Sequence, residues 1–143
     1  MKGPIQSVEV SYLLHQTEDP VKVQAAVGDL LGVKSGPETE SLEGHFGNEI
    51  VRARFHLTGE DAEAAFKGLV SRMPGGMKKE IAAGISAFLD EHSAFFLRLD
   101  KQRLVGGSLA LSGGDSVRIK VKPRIFMLKG GARQFYLGLL GVG

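Results

Sequence analysis

Cysteine is absent from the 143 residues, and that one absence removes disulfide bridges, zinc-thiolate sites and thiol nucleophiles together. A chain without thiols fits a reducing compartment, so a cytoplasmic location is the expectation. Long apolar runs are also missing. No stretch approaches the roughly 20 residues that a membrane-spanning helix requires, and the N-terminal MKGPIQSVEV turns polar and alternating at once. A soluble, unprocessed chain with no membrane partner is expected. Internal repeats, low-complexity tracts and linker-like segments are lacking too. The glycine-rich stretches match neither a phosphate-binding P-loop nor a dinucleotide fingerprint, and nothing in the spacing asks for a cofactor.

What remains is one domain over positions 1–143, long enough to bury roughly two thirds of the unfolded chain's surface. Its net charge is only +2, but the charges are unevenly placed: residues 1–97 carry nine Lys or Arg against fourteen Asp or Glu, and residues 98–133 carry nine against two. A basic region of that kind is the electrostatic footprint of a surface that meets phosphate, although solvated basic strands without a ligand show it as well.

Hydrophobic periodicity divides the chain into elements. Val8, Val10, Tyr12 and Leu14 alternate with polar residues, the pattern of a half-buried strand, and only Leu13 interrupts the polar side. A short helix follows, with Asp19 as its cap, Pro20 in its first turn and Gly32 at its stop. Residues 33–41 hold turn formers and acids without periodicity and are expected to be a surface loop. In NEIVRARFHL, Val51, Ala53, Phe55 and Leu57 take one face, and Arg52, Arg54 and His56 take the other. Thr58 with Asp61 resembles a capping box, opening a helix that runs to Met73. PGG breaks it, and a third helix with Met77, Ile81, Ile85, Phe88 and Leu89 extends to about His92 or Ser93, suggesting a helical hairpin.

AFFLRLD alternates again, with Phe95, Leu97 and Leu99 inward and Phe96, Arg98 and Asp100 outward. The glycine pairs of KQRLVGGSLALSGGD read as turns around a short strand. SVRIKVKPR then places Val117, Ile119 and Val121 inside and Arg118, Lys120 and Lys122 outside, with Pro123 at a strand end or an edge. A last helix is expected over about 130–140, with Phe135, Leu139 and Tyr136 turned inward. This order of elements favours an α+β fold: a mostly antiparallel sheet with helices packed on one face. The other face would then carry Arg52, Arg54, Arg98, Arg118, Lys120 and Lys122 as a ladder of cations.

Residues two apart on a strand lie roughly 6.6 Å apart, a repeat that lets successive cations follow a phosphate backbone. Recognition of single-stranded RNA usually adds rings that stack on bases and amides that meet base edges. GHFGN and DKQR supply those types. His45 and Phe46 are stacking planes, Asn48 and Gln102 are amides, and Lys101 and Arg103 are cations. RNA binding without catalysis is therefore the leading reading. Each residue also has a plainer one: Phe46 as a core ring, His45 as a turn cap, Lys101 as a solvated charge. A nuclease using Asp100 with His45 and Lys101 is one alternative, and a protein-interaction module docking an acidic partner is another. The histidines (His15, His45, His56, His92) lack the close paired spacing of a metal site, so none is expected.

HQTEDPVKVQAAV, LEGHFGNEI, RLDKQ and GDSVRIKVKP together resemble the signatures, in the same order, of an archaeal family described as predicted exosome subunits or RNA-binding proteins. The similarity covers nearly the whole chain up to Pro123. It implies a fold like that of the ribosomal protein that contacts 5S RNA. It also implies a role near RNA processing, and partners among exosome or ribosome-associated proteins. The family's two specific motifs map onto Gly44 to Asn48 and onto Asp100, Lys101 and Gln102. Family members commonly have a proline where this chain has Glu49 and an alanine where it has Arg103, and the glycine-rich tail fits the family poorly.

Overall fold

The computed structural model describes residues 3–43, 49–128 and 130–141. In chain order the elements are β1 (Ile5–Leu14), α1 (Pro20–Leu31), β2 (Glu38–Glu43), β3 (Glu49–Thr58), α2 (Gly59–Arg72), α3 (Gly75–Ala83), β4 (Phe95–Asp100), α4 (Lys101–Val105), β5 (Ser116–Pro123) and α5 (Gly131–Leu139). The strands form one sheet in the order β2-β3-β1-β5-β4, with every neighbouring pair antiparallel. This is the α+β fold that the periodicity implies.

One face of the sheet builds the core. Val8, Val10 and Tyr12 of β1, Phe55 of β3, Phe95 and Leu97 of β4 and Ile119 of β5 pack against Val27 and Leu30 of α1 and Phe66 and Leu69 of α2. Side chains alternate across a strand, so each core residue leaves its neighbours on the opposite, open face. The aromatic residues lock the C-terminal part onto this core. Phe95 stacks on Tyr136 of α5 with ring centroids 5.0 Å apart, and Phe66 meets both rings edge-on. The Tyr136 hydroxyl donates to the Ser93 carbonyl at 3.3 Å, and burial, followed by the charge of Asp90, raises its pKa.

Local signals operate at α1, where the Asp19 carboxylate accepts from the Val21 and Lys22 amides and Gly32 ends the helix at φ 71°. That left-handed conformation costs glycine nothing and other residues about 1 kcal/mol.

Four expectations need correction. Residues from Glu38 onward are not a loop but β2, an edge strand exposed along nearly its whole length. Having no buried face, it carries no apolar alternation to read. Thr58 caps α2 by backbone position without a side-chain hydrogen bond, so no capping box forms. The third helix stops at Ala83 and is followed, after Gly84, by a 3₁₀ turn at Ile85–Phe88. Residues after Asp100 turn into α4, and the expected short strand is reduced to an isolated bridge between Leu99 and Leu111. In α5, as expected, Tyr136 is fully buried and Phe135 and Leu139 pack half-buried against the core, with Leu140 just beyond as a further interior position.

Candidate nucleic-acid interface

The open face is organised in rows that cross the strands. Register places Ser11 of β1 opposite Arg54 of β3 and opposite Arg118 of β5, and Arg118 opposite Arg98 of β4. One row therefore reads Arg54, Ser11, Arg118, Arg98. Two residues along the strands lies a second row, His56, Glu9, Lys120 and Phe96, set by the same pairings. Arg52, opposite Leu13 and Glu40, flanks the first row, and Lys122, opposite Ser7, flanks the second. All six cations of the ladder thus share one face, because the strands that carry them keep a common alternation.

Their partners differ. Arg52 is neutralised by Glu40 at 3.5 Å. The Lys120 ammonium lies 5.4 Å from the centroid of the Phe96 ring, a cation–π distance. Among the described residues, no carboxylate comes within 4.0 Å of Arg54, Arg98, Arg118 or Lys122. A groove of about 860 Å³ runs over the two rows, floored by Glu9, Arg54, Phe96, Arg98, Arg118 and Lys120, and walled on the β4 side by Phe88 and Glu80. A second depression of about 420 Å³ over Leu13 and Arg52 shares Arg118 with it and continues toward Asp115.

The Asp-Lys-Gln segment behaves otherwise. Lys101 is not an exposed cation: its side chain is 1% exposed. Its ammonium donates to the Leu13 carbonyl at 2.7 Å and to Glu18 Oε1 at 2.8 Å, and sits 2.8 Å from Asp115 Oδ2. An ammonium buried among three oxygens is retained because its donors are satisfied there. Gln102 is exposed, and its amide donates to Glu18 Oε2 at 3.3 Å. The exposed Arg103 gives its backbone N–H to Asp100 Oδ1 at 2.9 Å, so Asp100 caps α4. His15, Glu18 and Asp115 place ligand atoms within 4.8 Å of one another, the kind of group that holds a metal ion. Here the Lys101 ammonium already stands between the two carboxylates. HQTED, DKQ and GDS, three of the segments quoted for the resemblance, therefore meet at one ion cluster.

A family model described as RNA binding matches residues 7–123. The chain belongs to this RNA-binding family. A relative in it, the RNA-binding protein PAB1135 of Pyrococcus abyssi, is 28% identical over 141 residues, covering 90% of each chain. The crystal structure of protein AF2318 from Archaeoglobus fulgidus, a DUF54 family protein, superposes with a TM-score of 0.79 at 27% identity, covering 94% of this chain and 99% of that one. A DUF54 protein from Methanothermobacter thermautotrophicus does so with a TM-score of 0.73 at 26% identity, covering 95% of each.

In this member of the RNA-binding family, His45, Phe46 and Asn48 lie outside the described residues. Three other features escape sequence reading. Glu9 sits inside the cationic groove; its place on the polar side of β1 is visible, its neighbours are not. Phe96 is visible as an outward ring, but only the register sets it beside Lys120. Ile125 and Phe126 stand 66% and 86% exposed just beyond β5, in a segment whose apolar composition suggests burial.

Proposed function

We propose that this protein is a non-enzymatic RNA-binding protein that holds a single-stranded segment along the open face of its sheet. The observation that carries the reading is the cross-strand pair Arg98 and Arg118. Like charges directly opposite each other destabilise a sheet by a few tenths of a kcal/mol or more, and among the described residues no carboxylate comes within 4.0 Å of either. An anionic ligand turns that cost into binding energy. Arg54, which faces Glu38 of β2 without closing to 4.0 Å, and Lys122 extend the positive charge across and along the sheet, and phosphates spaced along a flexible backbone match it.

His45, Phe46 and Asn48, between β2 and β3, supply stacking rings and an amide in this reading, with Gln102 and Arg103 at the strand end beyond Asp100. The relative PAB1135, an RNA-binding protein by name, and the family's description as RNA binding support the RNA ligand. The resemblance to predicted exosome subunits extends the proposal to a role near cytoplasmic RNA processing, with exosome or ribosome-associated proteins as partners and a fold like that of the 5S-RNA-contacting ribosomal protein.

The test is the salt dependence of binding to labelled single-stranded RNA. With about five phosphates neutralised, log affinity falls against log salt with a slope near −3.5, as expected for single strands. A flat response overturns the proposal.

A further inference from the structure

Within the RNA-binding reading of this face, on which the inference rests, we propose that the groove reads a guanine base, with Glu9 as the specificity-determining residue and Phe96 as the stacking surface.

Glu9 is out of place in a phosphate site. Its carboxylate lies on the row beside Arg54, Arg118 and Arg98, yet forms no ion pair with any of them. It faces Lys120 on one side and His56 on the other, and among the described residues only His56 comes within 4.0 Å, with Nε2 at 3.7 Å from Oε1. That distance is beyond a hydrogen bond. A carboxylate repels phosphate and only accepts hydrogen bonds, so the part of a nucleotide it suits is a donor-bearing base edge.

The two rows are offset by two residues, about 6.7 Å along the strands. That is comparable to the reach from a phosphate across a ribose to its base. A nucleotide lying across the rows sets its phosphate on Arg118 and Arg98 and its base over Phe96 and Lys120, pointing along the second row toward Glu9. Phe96 is 39% exposed, and small Ser11 stands between Arg54 and Arg118, leaving the floor open.

The edges of the bases differ in what they offer a carboxylate. Guanine presents N1–H and the N2 amine side by side, two parallel donors for two oxygens. Adenine and cytosine present one amine next to an acceptor nitrogen. Uracil presents one N–H between two carbonyl oxygens that repel the carboxylate. A bidentate contact discriminates between bases by about 1–3 kcal/mol, so guanine is favoured.

The experiment uses the full chain and uridine oligonucleotides carrying one central guanosine, inosine, adenosine or cytidine. Guanosine is expected to bind about ten-fold more tightly than uridine at that position, and inosine, which lacks the N2 amine, to lose most of that gain. Glu9→Gln is expected to bring the guanosine and uridine oligonucleotides to within about two-fold of each other. Equal binding of guanosine and inosine in the wild type overturns the inference without using any variant. A Glu9→Gln protein that binds every oligonucleotide more tightly by the same factor also overturns it, showing a carboxylate that only tempers the cations. In both cases RNA still binds and the broader function stands. A wild type that binds none of the oligonucleotides overturns the function together with the inference.

Discussion

Lys101 and Glu18, 83 residues apart in sequence, form an ion pair with Nζ and Oε1 at 2.8 Å, the lysine side chain 1% exposed and the glutamate 12%. This contact ties the start of α4 to the turn after β1, and Asp115 adds the entry to β5. Removing one member of a buried pair leaves the other's charge uncompensated, a loss of about 3–5 kcal/mol in comparable sites. Lys101→Met is expected to lower unfolding free energy by about 3 kcal/mol, seen as a reduced urea midpoint. Its effect on RNA binding should follow from folding alone, whereas a solvated lysine would leave stability unchanged.

Arg118→Ala should separate binding from stability. The slope of log affinity against log salt is expected to become shallower by about 0.7, the share of one phosphate. The loss in affinity should be similar for all sequences. Folding stability should hold or rise by a few tenths of a kcal/mol, since the repulsion with Arg98 is relieved.

Phe96→Leu keeps an apolar side chain at a half-exposed position and removes only the aromatic plane. Stacking of one base contributes about 1–3 kcal/mol. Isothermal titration should show a loss in that range, with the thermal midpoint little changed.

Tyr12 carries a buried hydroxyl with no hydrogen-bond partner among the described residues, and burial pushes its pKa up to about 12. An unsatisfied buried hydroxyl costs about 1–3 kcal/mol, so Tyr12→Phe is expected to stabilise the protein by about 1 kcal/mol. A raised pKa also means that the folded state holds its proton longer than the unfolded chain. The resulting stability is complete below the ordinary tyrosine value and is lost as pH rises toward 12. Stability across that range should fall for the wild type and fall less steeply for the variant, in which the buried Tyr136 still contributes in the same direction.

Asp90 gives the opposite sign. Its carboxylate accepts from the Ala94 amide at 2.8 Å and the His92 amide at 2.9 Å. The Ala94 bond is the largest influence holding its pKa below the ordinary carboxylate value. Stability from this turn is present above that ordinary value and is lost as pH falls through the lowered one. Asp90→Ala should remove this part of the acid response, measured as a shallower decline of melting temperature below about pH 4.

Elements were legible wherever a strand or helix buries one face. β1, β3, β4 and β5 announce themselves by alternation because one side of each is packed and the other wet, and α1 by its aspartate, proline and glycine. β2 was not, since it is polar on both sides and is a strand only because β3 offers it an edge. The truncation of the third helix at Gly84 was equally hidden: Ile85 and Phe88 keep helical spacing and are apolar for tertiary reasons, packing in a 3₁₀ turn.

The sequence by itself determined that three strands turn cations to one side, because side-chain alternation is a property of the single strand. Only the tertiary structure decided what those cations meet. Pairing order and register bring Arg98 opposite Arg118, lay Lys120 over Phe96 and set Glu9 among the arginines. The same long-range packing withdraws Lys101 from solvent into a site built by Leu13, Glu18 and Asp115. A lysine's chemistry is fixed by its formula, but whether it faces water or three oxygens depends on segments that approach only when the chain has folded.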